Sequence, residues 1–371
     1  MISAIWPAEF KAQQESVFRA IAAAAGGTGR RLWVVPVSFR SFPETTLRAN
    51  EALRRAKRQP KSAFGRWLKR ALLAGQYNWS RHYFAANPTV LAVAWNGLTG
   101  TRRAFLQGAT DAGAARLHCE LAPLPGFVTV DPMGVNAEGL ALEAEVPAIK
   151  QDVSPLLKTL RDGLVSRPSR RSDVTQSGTL PADVPPFVFV PLQVPDDSQL
   201  RIFAGWVGDI PGFLEAVTRS LPHLPEGWQV RIKEHPSAKT SFATVIDRMP
   251  KERVVRDNTT DTFELVARAQ AVLTINSSVG FQALLWDKPV LATGHGFWTR
   301  SDLVDVVEDE LALDMAFAGL ERAQVPTKRR HEFIHWLVHD YLVPVETLDG
   351  GAVRPDVEAL KTKIENARTL A

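Results

Sequence analysis

Hydrophobic positions along the chain fall into two periods. Short runs rich in β-branched and aromatic residues predict strands over Leu32–Ser38, Val90–Trp95, Ala115–Leu121 and Phe127–Asp131. Apolar residues three and four apart predict helices over Phe10–Ala25, Thr46–Arg58, Ser62–Leu73, Arg102–Ala112 and Ser154–Ser166. From Ser166 to Pro186 the composition shifts to Ser, Pro, Arg and Thr, which predicts an exposed linker. Beyond it the alternation sharpens. Strands are expected over Phe187–Val194, Gln229–Lys233, Val254–Arg256, Ala271–Ile275 and Pro289–Thr293. Helices are expected between them over Gly212–Ser220, Ser241–Met249, Thr262–Gln270 and Val279–Trp286, and in the tail over His331–Leu342 and Val357–Leu370. This alternation predicts an α/β fold with parallel sheets. The domains read as an N-terminal α/β domain over 1–165, a linker over 166–186, a Rossmann-like domain over 187–325 and C-terminal helices over 326–371.

Composition narrows the class without changing it. With 371 residues, 45% hydrophobic and 23% charged, the chain is of ordinary globular make-up, which excludes disordered, collagen-like and coiled-coil readings. No apolar run approaches the ~20 residues that span a bilayer, and Pro7 and Glu9 interrupt any apolar core of an export signal. A single Cys119 permits neither an internal disulfide nor a Cys-based zinc site, so a reducing, cytoplasmic setting is expected. The net charge is 44 − 40 = +4, but nine basic residues lie between Arg48 and Arg70 against one acid, Glu51. That stretch is +8 and the remainder −4. Trp67, Leu68, Leu72 and Leu73 interleave with its charges at helical spacing, a pattern suited to an anionic membrane surface or a charged glycan, or simply to a solvated helix face. Only one segment is basic and few aromatics flank it, so no nucleic-acid partner is expected.

Four groups of residues could carry chemistry. Asn276-Ser277-Ser278-Val279-Gly280, between a strand and a helix, could present hydroxyls and backbone N–H groups to an anion, or Ser could merely cap the helix. Lys233-Glu234-His235-Pro236, at a strand end, could place a His and a Lys on a phosphate. In Gln193-Val194-Pro195-Asp196-Asp197-Ser198 either carboxylate could serve as metal ligand, base or nucleophile, or close a turn. Glu120, before Pro125 and Gly126, could act as general acid or base. No His spacing suits a metal, and neither a P-loop nor a G-x-G-x-x-G motif is present.

Taken in order, Val190-Pro191-Leu192-Gln193-x-x-x-Asp197-Ser198, Lys233-x-His235-Pro236, Asn276-Ser277-Ser278-Val279-Gly280-x-x-Ala283-Leu284 and Lys288-Pro289-Val290 resemble the capsule polysaccharide synthesis/export family, which includes bacterial retaining β-Kdo glycosyltransferases. The match covers mainly residues 187–298. Trp95-Asn96-Gly97, Glu120 and Asp131-x-x-Gly134-x-Asn136 are similar, more loosely, to the family's acceptor-side half. The resemblance implies a GT-B-like fold of two Rossmann-like domains facing a cleft, with CMP-β-Kdo as donor and neither cofactor nor metal. His235, followed by Pro236, would hold the CMP phosphate with Lys233, and Ser277 and Ser278 would flank that phosphate or the Kdo carboxylate. Asn276 and Gln193 would complete the donor site. Asp197 would be the nucleophile, with the adjacent Asp196 as the alternative, and Glu120 the acceptor-side acid/base. The acceptor would be a lipid-linked glycan of capsule or lipopolysaccharide assembly, met at the cytoplasmic side of the inner membrane. Transfer of another CMP-activated nonulosonic acid, as by sialyltransferases, and a non-catalytic export or binding factor are the competing readings.

Overall fold

A computed structural model describes residues 2–371. Thirteen strands are formed among them: β1 Ile2–Pro7, β2 Thr28–Leu32, β3 Leu91–Trp95, β4 Arg116–Leu121, β5 Phe127–Asp131, β6 Phe187–Pro191, β7 Gln229–Lys233, β8 Val254–Arg256, β9 Ala271–Thr274, β10 Val290–Ala292, β11 Asp305–Val306, β12 Val343–Thr347 and β13 Val353–Pro355. They divide between two compact units. One comprises residues 1–122, 126–144 and 337–371, the other 123–125 and 145–336.

The first unit is a seven-stranded sheet in the order β13-β12-β5-β4-β3-β1-β2. Strands β1 to β4 pair in parallel, whereas β5, β12 and β13 join antiparallel, so this sheet is mixed and not wholly parallel as expected. One face packs Trp6, Val93, Leu117 and Val130 against Phe18 and Ile21 of helix Ala12–Ala24 and Leu360 and Ile364 of helix Val357–Thr369. The other face buries Ile5, Ala92 and Ala94 under Phe84 and Phe105. Strand β2 begins four residues earlier than the β-branched run suggests. Gly29 explains its place, because a Cβ there would come within 2.0 Å of the Trp6 indole, so only glycine lets the strands approach. Residues 33–39, with Pro36 lacking an N–H, leave the sheet as an exposed loop.

The second unit is a six-stranded sheet in the order β11-β10-β9-β6-β7-β8, with every pair parallel. Its near-continuous apolar strands are buried on both faces, as a parallel sheet requires. Read from β8, the order is third, second, first, fourth, fifth, sixth, and the chain reverses direction between β6 and β9. That reversal is where α/β sheets bind ligands.

Two domain expectations change. The tail is not a single helical piece. Helix Thr327–Trp336 belongs to the second unit, while residues 337–371 supply two strands and a helix to the first. Nor is 166–186 an open linker. Thr175 N–H bonds to Asn258 O at 2.7 Å, Gly178 bridges Thr260, and Val174 is fully buried. Main-chain bonds fix the segment where its composition offers little apolar area.

Candidate functional site

In the second unit the C-terminal ends of β6, β7 and β9 converge on a cavity open on one side, with about 100 Å³ of room for water-sized occupants. His235, Pro236, Ser277 and Ser278 line it, together with Lys233, Glu234, Arg167, Gln176 and an apolar wall of Phe189 and Phe263. The lining suits a polar ligand with one flat or apolar part.

His235 lies two residues beyond the last residue of β7. Its Nδ1 accepts the Ser237 N–H at 3.0 Å, which leaves the proton on Nε2 as a donor. Burial, aided by the charge of Arg167 and opposed by the Asp197 carboxylate, lowers its pKa to about 4. The imidazole is therefore neutral at physiological pH, and the cationic lining includes Arg167. Sequence reasoning missed Arg167 because it lies in the segment read as a linker.

Lys233 is placed differently from the expectation that it would meet a phosphate. It is 3% exposed, and its ammonium donates to Thr175 O at 2.8 Å and Thr260 O at 2.7 Å. Burial pulls its pKa down to about 8 despite nearby Asp257 and Asp261. The neighbouring Glu234 is equally committed, accepting from Phe242 N at 2.8 Å and Arg171 Nη1 at 2.9 Å. These two residues pin the loops that shape the cavity, and Pro236 O accepts the Arg170 N–H at 2.9 Å.

At the end of β9, Ser277 caps helix Ser278–Ala283 by accepting the Val279 N–H at 3.2 Å. Gly280 lets this helix lie against the strand, since a Cβ there would fall 2.7 Å from Thr274 Cγ2 and 2.6 Å from Trp298. Asn276 and Gln193 form a buried reciprocal pair. Gln193 Nε2 donates to Asn276 Oδ1 at 2.9 Å, and Asn276 N–H returns a bond at 3.2 Å. Asn276 Nδ2 also reaches Phe203 O and His295 O. This latch ties β6 to β9 at the reversal, beneath the ligand-facing groups. Asp197 caps helix Ser198–Phe203 with one oxygen, accepting the Gln199 N–H at 3.0 Å, whereas Asp196 is exposed.

In the first unit Glu120 lies within β4, inside the span predicted as a strand. Asn96 Nδ2 donates to its Oε1 and Asn136 Nδ2 to its Oε2, both at 3.0 Å. Both asparagines are in the left-handed region, at φ 63° and 57°, a conformation that is uncommon outside glycine and marks places where the surroundings dictate the backbone. Asp131 supports the same loop, accepting from Met133, Gly134 and Leu140 N–H groups and from Tyr341 Oη at 2.7 Å. Nothing in the sequence periodicity announces this clamp beyond Asn96-Gly97 and Gly134-x-Asn136. Among the described residues no three of His, Cys, Asp and Glu gather as a metal site.

The capsule polysaccharide biosynthesis family model matches residues 169–306, the span that contains the cavity's three strand ends. Protein FixF of Sinorhizobium fredii (strain NBRC 101917 / NGR234) is 33% identical over 298 residues, covering 76% of this chain and 68% of that protein. Capsule polysaccharide export protein KpsS of Escherichia coli is 30% identical over 115 residues, 29% of each chain. Among solved structures, the Thermosulfurimonas dismutans KpsC β-Kdo 2,7 transferase is similar over 99% of both chains, with a TM-score of 0.50 and 14% identity, a likeness of fold. The two α/β units, the parallel second sheet and these matches give a GT-B-like fold, and the chain belongs to the capsule polysaccharide biosynthesis family.

Proposed function

We propose that the protein is a retaining glycosyltransferase that moves Kdo from CMP-β-Kdo to a glycan acceptor of capsule or lipopolysaccharide assembly, without a metal. The observation that carries this reading is the meeting of His235, Arg167 and the Ser277–Ser278 helix start in one cavity at the strand-order reversal. A CMP-keto-sugar brings two anions near the reacting carbon, the phosphate and the anomeric carboxylate. A neutral Nε2–H donor, a guanidinium and a helix N-terminus suit them. Phe263, parallel to Trp286 at 5.8 Å, offers an aromatic wall for the base.

Retention of configuration asks for two displacements. In the first, an Asp197 oxygen attacks the anomeric carbon, the bond to the phosphate oxygen breaks, and CMP departs with its electron pair. In the second, the acceptor hydroxyl attacks the same carbon, its proton passes to Glu120, and Asp197 is released. The influence of Asp197 on His235 favours it over the exposed Asp196.

The test is intact mass measurement of the Glu120→Gln variant after incubation with CMP-Kdo. One added Kdo is expected, mapped to residues 196–197, and none in Asp197→Asn. An inverted product with no adduct in any variant would overturn the double displacement. CMP binding with no turnover would make the chain a non-catalytic binding factor, and turnover of a different CMP-nonulosonic acid would reassign the donor.

A further inference from the structure

The first unit leaves large apolar side chains in water beside a field of unneutralised cations. Trp33 is 72% exposed and Phe39 97%, on the loop that leaves β2. Phe64 (70%) and Trp67 (55%) stand one turn apart at the start of helix Ala63–Ala86, stacked at 5.8 Å. Phe64, Leu68 and Leu72 follow one another at four-residue spacing, with Trp67 three residues from Phe64, on one face of that helix. Loop and helix form a single surface, for Trp33, Val34, Lys57, Arg58, Lys69 and Leu72 line one groove.

The loop is held in place. Val35 is buried, Ser38 N–H donates to Gly75 O at 2.9 Å, Asn78 Nδ2 donates to Ser38 O at 3.3 Å, and Arg31 lies 4.1 Å from the Trp33 ring centre. These bonds fix an apolar display that contributes nothing to the core.

The charges sort into two sets. Arg48 and Arg55 are tied to Asp111 and Glu138. Arg54, Arg58, Lys61, Arg66 and Arg70 are exposed, and among the described residues none of them pairs with a carboxylate. A two-fold contact with a second copy would set this positive surface against itself. Nucleic acid would satisfy the cations but leave Val34, Val37 and Leu72 without an apolar medium. A surface that is both anionic and oily meets both demands.

We infer that the loop 33–39 and the first turns of helix Ala63–Ala86 form an interfacial docking site for an anionic lipid bilayer. The aromatic and aliphatic side chains enter the headgroup boundary, and the lysines and arginines, whose long stems reach outward, contact lipid phosphates. No described helix is long and apolar enough to cross a membrane. The inference stands independently of the proposed reaction.

Sedimentation of the purified chain with vesicles tests it. Binding is expected to vesicles of phosphatidylglycerol and phosphatidylethanolamine, weakening as salt rises, and not to phosphatidylcholine alone. Each surface cation removed weakens binding about fivefold, so the triple change Lys61→Gln, Arg66→Gln and Arg70→Gln should weaken it about a hundredfold. Trp33→Ser with Phe39→Ser should reduce binding while preserving the salt dependence. Thermal unfolding of both variants should match the parent, since the replaced groups are exposed. Unchanged vesicle binding in either variant, equal binding to phosphatidylcholine, or a shift in oligomeric state in place of lipid binding would overturn the inference.

Discussion

His235 and Lys233 stand two residues apart at the end of β7, yet the fold gives them opposite work. One turns a free donor into the cavity, and the other satisfies two backbone carbonyls beneath it. His235→Ala should therefore weaken CMP binding by about 1.5–3 kcal/mol, the worth of a hydrogen bond to a charged group, with thermal stability nearly unchanged. Lys233→Met should do the reverse, lowering the melting temperature because Thr175 O and Thr260 O lose their donor, while the folded variant keeps its CMP affinity. Calorimetric titration beside thermal unfolding separates the two, and equal losses of affinity would reject the division. The short motifs of the second half were legible because they combine a strand end, a special residue and a helix start. Which atoms they meet was not. The carbonyls that claim Lys233 come from residues 58 and 27 positions away, and Arg167 enters from a segment with no periodic signal.

Elements follow the same division. Strands with continuous apolar character, β3, β6 and β9, fall where the hydrophobic runs place them, because burial on both faces imprints them on the sequence. The strands at the two ends of the first sheet, and β12 next to one of them, carry little such imprint. β2 is largely polar, and β12 and β13 contain prolines, so their places depend on neighbours. Strand β4 links architecture to chemistry, with Arg116, His118 and Glu120 at alternate positions on one face. Burial lowers the pKa of His118 from 6.5 to about 4. The unfolded chain therefore takes up a proton through a range where the native strand refuses it. The contribution of His118 to stability is therefore whole well above pH 6.5 and is lost as the pH falls toward 4. Urea unfolding at neutral pH and at about pH 5 should show this slope. A His118→Asn variant should flatten it, and an unchanged slope would assign the acid sensitivity to other groups.

On the scale of the whole molecule, the first unit is assembled from three separated stretches of chain, and the last of them supplies β12, β13 and helix Val357–Thr369. Removing residues 343–371 would strip Leu360, Ile364 and Ala367 from the core and leave β5 as a bare sheet edge. Hydrogen exchange should then show β4 and β5 losing protection while β6 and β9 keep theirs, and uniform protection in both units would contradict that dependence.

The same arrangement sets an order on biosynthesis. A ribosome delivers residues 145–336 in one continuous passage, so the second sheet can close while the C-terminal stretch is still being made. The first sheet, although five of its seven strands are synthesised earlier, must wait with the outer edge of β5 open until residues 343–355 emerge. During that interval its open edge is a target for chaperones and for other nascent chains. Synonymous changes that slow translation just before residue 343 would lengthen the exposure and raise the aggregated fraction without altering the finished protein.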